Sequence, residues 1–169
     1  MMIACTFSPC RRYRYTWEYV WDRSLPPCAF IGLNPSTADE EGPDPTVRRC
    51  IAYARGWGYG RLIMLNLFAF RATDPRDMKA EDEPVGAPEN NGTLREKAGY
   101  VTMMGGVVVA AWGNHGAHQG RSAFVRVLLA GLPLHYLTMT KSGEPGHPLY
   151  LRADLKPRLL HFENVQRLA

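Results

Sequence analysis

CAFIGLNPST (28–37) is the stretch on which the reading of the fold turns. Cys28 to Leu33 is a short, unbroken apolar run, and Asn34-Pro35 stops it. A run of this length closed by a turn former reads as a strand buried on both faces that enters a loop at its carboxyl end. Three further runs have the same character: Leu62 to Phe70 (LIMLNLFAF), GVVVAAW (106–112) and LPLHYLTM (132–139). Between them lie segments with helical spacing. Val47, Cys50, Ile51 and Ala54 repeat on one helical face, with Asp44-Pro45 as the start and Gly56 as the stop. A second helix is expected over about 90–104. A third, from Gly120 to Leu129, is amphipathic through Ala123, Phe124, Val127 and Leu128, and a terminal helix is expected over 154–168. RYRYTWEYVW (12–21) alternates as a half-buried strand does, and 71–93, rich in Pro and Gly, reads as loop. Strands alternating with helices predict an α/β fold: three α/β/α layers on a mostly parallel central sheet, in one domain spanning 1–169.

Composition narrows the function classes. The 169 residues are 46% hydrophobic and 21% charged, ordinary for a globular protein. No apolar run reaches the ~20 residues of a membrane span, and MMIACTFSPCRRYRY lacks the order of a secretion signal, so a cytoplasmic chain without a membrane partner is expected. The net charge of +4 favours a polyanionic partner only weakly. Arg11, Arg12 and Arg14, interleaved with Tyr13, Tyr15 and Trp17, form one basic group, and Arg48, Arg49, Arg55 and Arg61 a second. Such groups either neutralise phosphates beside stacking aromatics or form a solvated face over a core. Cys5, Cys10, Cys28 and Cys50 have no C-x-x-C spacing and read as free thiols, with no metal expected. A Rossmann-type nucleotide site is disfavoured because no G-x-G-x-x-G follows the first buried strand.

Polar side chains gather where the apolar runs end. Asn34 follows the first, Asn66 interrupts the second, Asn114 and His115 follow the third, and His147 comes after the last. In open α/β sheets the ligand crevice lies outside the carboxyl ends of the strands, so four strands deliver amides and imidazoles to one edge. Asn66 is the strongest of these signals, because a polar amide inside an apolar strand costs ~1–3 kcal/mol unless it is satisfied.

These segments, in this order, resemble the uracil-DNA glycosylase superfamily. GLNPST (32–37) is similar to its first motif, LIMLNLFAFRAT (62–73) to its base-reading strand, VVVAAWGNHGAHQG (107–120) to its strand ending in W-G, and HPLYL (147–151) to its histidine loop. The chain also resembles a family of bacterial and phage proteins that share GLNPSTAD and HPLYL. The resemblance implies a DNA glycosylase, active as a monomer without cofactor or metal, that hydrolyses the N-glycosidic bond of uracil or a 5-substituted pyrimidine.

In that reading Asn34 holds the attacking water and His147 donates a hydrogen bond to the base oxygen as negative charge develops there. Asn66 reads the edge of the extruded base. Gly32, Leu33, Pro35, Ser36, Thr37 and Phe68 line the base site. Pro148, Leu149, Tyr150, Asn114 and His115 face DNA, with Leu149 or Tyr150 filling the gap in the stack. Uracil-specific members carry a tyrosine just after the first proline, where Ser36 and Thr37 stand here. Candidates for the aromatic that stacks on the base are Phe68, Phe70 and Trp57, while Trp112 reads as core. Asp39, Glu40, Glu41 and Asp44 read as a solvated loop from which one carboxylate can polarise water if the loop folds over the site. Two alternatives stand beside this one: a hydrolase or transferase acting on a free nucleoside or nucleotide, and a non-catalytic binder of modified DNA.

Overall fold

The computed structural model describes residues 2–161. In chain order the elements are β1 (Met2–Phe7), β2 (Arg14–Val20), β3 (Pro27–Gly32), α1 (Pro45–Gly56), β4 (Arg61–Asn66), α2 (Pro75–Ala80), α3 (Glu89–Met103), β5 (Val107–Ala110), α4 (Arg121–Leu128), β6 (Leu134–Tyr136) and β7 (Arg158–Leu159). The seven strands form one sheet in the order β1-β2-β4-β3-β5-β6-β7. The four inner strands β4, β3, β5 and β6 are parallel. β1, β2 and β7 add antiparallel edges, so the sheet is mixed rather than mostly parallel. The chain reaches β4 on one side of β3 and returns to place β5 on the other. The strand order therefore reverses between β3 and β5, which is where open α/β sheets form a crevice.

The inner strands are buried on both faces because their side chains alternate between two cores. Ala29, Ile31, Ile63, Leu65, Val108 and Ala110 pack with Met78, Leu94, Ala98, Val101 and Val125 from α2, α3 and α4. Cys28, Phe30, Leu62, Met64, Val107 and Val109 pack on the other face with Val47, Cys50, Tyr53 and Ala54 of α1. These are the three expected layers. Helix α1 starts where the sequence signals it: Asp44 Oδ1 accepts from the Val47 N–H at 2.8 Å, and Pro45 opens the first turn.

Three differences from expectation have local causes. β4 ends at Asn66: the Phe68 N–H goes to the Leu33 carbonyl beyond the end of β3, and the Ala69 and Phe70 N–H groups turn away to Val85 and Pro84. The segment read as loop over 71–93 contains the two-turn helix α2, capped by Asp74. The terminal helix expected at 154–168 is absent over 154–161, where β7 pairs with β6 instead; residues 162–168 lie outside the described residues. Among the described residues no helix is long and apolar enough to cross a membrane.

Candidate active site

At the reversal between β3 and β5 a cleft of about 490 Å³ opens at the carboxyl edge of the parallel strands. Its walls combine segments far apart in sequence: Gly32 to Ser36, Asp44 to Val47, Asn66, Ala72 to Pro75, Trp112 to His115, and the loop from His147 to Tyr150. Backbone hydrogen bonds hold these segments to one another. Leu67 N–H and Phe68 N–H donate to Gly32 and Leu33, Ala72 N–H to Pro35, and Gly113 N–H to Pro145 at 2.8 Å. On the far side of the loop, Arg49 and the Tyr53 hydroxyl of α1 donate to the carbonyls of Leu151 and Arg152.

Each polar side chain in the cleft has a defined environment. Asn34 commits its amide nitrogen to the carbonyls of Ala72 (2.8 Å) and Pro35 (3.1 Å), leaving Oδ1 as its acceptor. Asn66 is 3% exposed, and its Nδ2 has no hydrogen-bond partner among the described residues. A Cβ at Gly32 would stand 3.1 Å from Asn66 Oδ1, so the glycine of GLNP makes room for this amide. His147 Nδ1 accepts from the Leu149 N–H at 3.3 Å, which leaves Nε2–H as the donor of the neutral ring. Burial lowers the His147 pKa, against the opposing field of Asp44, so the ring is uncharged at neutral pH.

The structure adds two residues that the sequence reading placed elsewhere. Asp44, read as part of a solvated loop, is buried, and among the residues lining the cleft it is the one carboxylate. Arg14, read with an exposed basic group, is 2% exposed and also lines the cleft. Its Nη1 donates to the Ala38 carbonyl, and its Nε has no partner. Burial pushes its pKa down to about 10, with Asp44 acting in the opposite direction, so it remains a cation at neutral pH.

Of the expected site residues, Gly32, Leu33, Asn34, Ser36, Asn66, Asn114, His115, His147, Leu149 and Tyr150 meet in this cleft. Pro35, Thr37, Phe68 and Pro148 are not among its lining residues. Pro35 and Pro148 are buried beside it, and Thr37 is exposed to solvent. Phe68 belongs to the core on the opposite face of the sheet, with its ring 5.8 Å from that of His118. Trp57 stacks on Phe30 and Tyr53 within the α1 core, and Phe70 packs edge-on against Tyr13, so neither is a stacking platform. Trp112 is core, as expected, and its edge also contributes to the cleft wall. Its Nε1–H donates to Glu144 at 2.6 Å.

The two basic groups are largely taken up elsewhere. Arg11 and Arg12 pair with Glu40 and Glu81. Arg55 lies over Trp21, and Arg61 pairs with Glu18 at the opposite end of the strands. The four cysteines are free thiols, Cys28 and Cys50 within the core. Among the described residues no three His, Cys, Asp or Glu side chains converge as metal ligands would.

Residues 14–149 match the model of the family described as a protein of unknown function, DUF1643. The chain belongs to the DUF1643 family. The matched region runs from the buried arginine of β2 to Leu149 on the cleft rim, and so takes in every charged or amide side chain that lines the cleft. No curated protein and no solved structure matches this DUF1643 chain.

Proposed function

We propose that this DUF1643 protein is a DNA glycosylase that hydrolyses the bond between a pyrimidine base and deoxyribose in the cleft between β3 and β5. The observation that carries the reading is the buried, unpartnered amide of Asn66, on the floor of a cleft that also holds neutral His147 and the carboxylate of Asp44. A buried amide without a partner costs free energy, and the edge of a base extruded from the helix can supply the missing acceptor.

Breaking the N-glycosidic bond leaves the bonding electron pair on the base and positive charge at the sugar C1′. His147 Nε2–H donates to a base oxygen and stabilises the charge as it develops. Water held by Asn34 Oδ1 adds its oxygen to C1′. An amide cannot accept the proton released at neutral pH, whereas Asp44 can. Its carboxylate also faces the cationic sugar. The departing base takes up one proton on nitrogen from solvent and leaves as the free base, and Asp44 returns its proton to solvent. Tyr150, 87% exposed at the cleft rim, is the group placed to fill the vacated position in the base stack.

The test is a base-release assay on oligonucleotides carrying uracil, mismatched thymine or 5-hydroxymethyluracil, run beside the free nucleosides. Release from an oligonucleotide is the expected result. Release from free nucleosides alone would move the activity to nucleoside hydrolysis, and tight binding without release would make the protein a reader of modified DNA.

A further inference from the structure

We propose that Arg14 and Asn66 together form an anion-binding floor, which holds the departing pyrimidine as a negatively charged base. The inference rests on the glycosylase reading for its ligand, but on its own geometry for the site. Both side chains are at least nine-tenths buried, both line the same cleft, and each carries a buried nitrogen donor without a partner, Arg14 Nε and Asn66 Nδ2. No carboxylate lies within ion-pair distance of Arg14 among the described residues; its one hydrogen bond there goes to the neutral Ala38 carbonyl. A buried guanidinium without a counter-charge, and with its Nε–H unpaired, calls for an anionic partner.

The ligand is narrowed by what else faces the cleft. Among the described residues that line the cleft, Arg14 is the one basic side chain besides the histidines and Asp44 the one carboxylate. Glycosidic cleavage separates charge in the same sense: cationic sugar, anionic base. Asp44 complements the first and Arg14 the second, so the pair matches the transition state while the cleft stays neutral overall. A more highly charged anion such as a phosphate monoester would exceed the single charge that Arg14 supplies and would also meet Asp44. A planar base that carries one negative charge as it leaves suits both. Arg14 also reaches Ala38, two residues beyond Ser36, which places its charge on the side of the cleft formed by the GLNPST loop.

The experiment compares two free pyrimidines as ligands of the whole protein by isothermal titration at neutral pH: barbiturate, which is anionic, and uracil, which is neutral. Wild type is expected to bind barbiturate at least about tenfold more tightly than uracil, the worth of one desolvated charge-assisted hydrogen bond. Arg14→Met is expected to abolish that preference, Arg14→Lys to keep part of it, and Asn66→Ala to weaken both ligands. Equal affinity of wild type for the two ligands would overturn the proposal without any variant, so loss of folding in Arg14→Met leaves it testable. A preference that survives in a folded Arg14→Met protein would overturn it as well. The outcomes separate the two readings: barbiturate preference without base release leaves the anion site standing and removes the glycosylase, while base release without the preference does the reverse.

Discussion

Asp44 has two uses for one carboxylate. Oδ1 closes the first turn of α1 on the Val47 N–H, while the group as a whole faces the cleft. Asparagine caps a helix about as well as aspartate but cannot take a proton from water. Asp44→Asn is therefore expected to fold with nearly unchanged stability and to release base roughly 10²-fold or more slowly, the usual worth of a general base. Single-turnover rates and thermal unfolding on the same preparation check this, and a rate close to wild type removes Asp44 from the chemistry. His147 gives a pH signature. Burial holds its folded pKa below the unfolded value of about 6.5, so in acid the unfolded chain binds more protons than the folded one. Its contribution to stability is complete above that pH and is lost as the pH falls toward the lower folded value. Denaturant titrations from pH 8 to 5 are expected to show a shallower decline for His147→Gln than for wild type; parallel curves would contradict a buried neutral ring. Asn66 was legible in the sequence because a lone amide in LIMLNLFAF breaks an apolar pattern. Arg14 was not, because RYRYTW alternates as any half-buried strand does. It is the 38–44 loop folding back over β2, held by Arg14 and by Trp17 Nε1 on the Asp39 carbonyl, that buries it.

Among the elements, the two loops that carry His147 and Asn114 are held in register by one buried carboxylate. Glu144 accepts from Trp112 Nε1 at 2.6 Å and from Ser122 Oγ at 2.8 Å, with Arg126 at 3.5 Å. It thus ties the end of β5 and the start of α4 to the segment that leads into His147. Gly116 lets the turn after β5 lie against Trp112, since a Cβ there would collide with the indole. Glu144→Ala leaves the Trp112 N–H buried without an acceptor. It is expected to cost about 1–3 kcal/mol, read as a lower urea midpoint at unchanged slope. A midpoint within error of wild type would show that water replaces the carboxylate there. The inner strands were legible as apolar runs closed by turn formers, and α1 through apolar residues at helical spacing. The face read for α4 was the wrong one: Phe124 and Val127 are exposed, and Arg121, Ser122 and Val125 are buried. β1, α2 and β7 were not legible. α2 presents a single buried residue, Met78, and β7 is two exposed residues paired to β6, so neither writes a periodic apolar signal. Phe68 was misplaced for a related reason. LIMLNLFAF reads as one strand, but the chain leaves the ladder after Asn66 and turns the phenyl ring into the opposite core.

For the whole molecule, the location of the cleft follows from strand order, which depends on pairings that no local pattern encodes. The sequence indicated four buried strands with polar ends; only the tertiary reversal between β3 and β5 makes those ends converge. Charge also acts at this scale. Arg11, Arg12, Arg76 and Arg152 each sit on an acidic neighbour, so the net charge of +4 leaves few unpaired cations near the cleft. Lys79 lies 3.0 Å from His115 Nδ1, on the rim itself. Duplex binding should then draw on a small number of phosphate contacts and on insertion of Tyr150. The logarithm of the binding constant is expected to fall against the logarithm of salt concentration with a slope of only about −2 to −3, since each neutralised phosphate contributes roughly −0.9. Tyr150→Ala should slow release from duplex, where the vacated stack must be filled, and leave release from single strands unchanged, because no stack is opened there. Fluorescence anisotropy between 50 and 200 mM salt, with parallel release assays on the two substrates, measures both effects. A slope near −8 would require a phosphate-binding face that the paired arginines do not supply. Equal slowing on single and double strands would make Tyr150 part of the base pocket, not a wedge at its mouth.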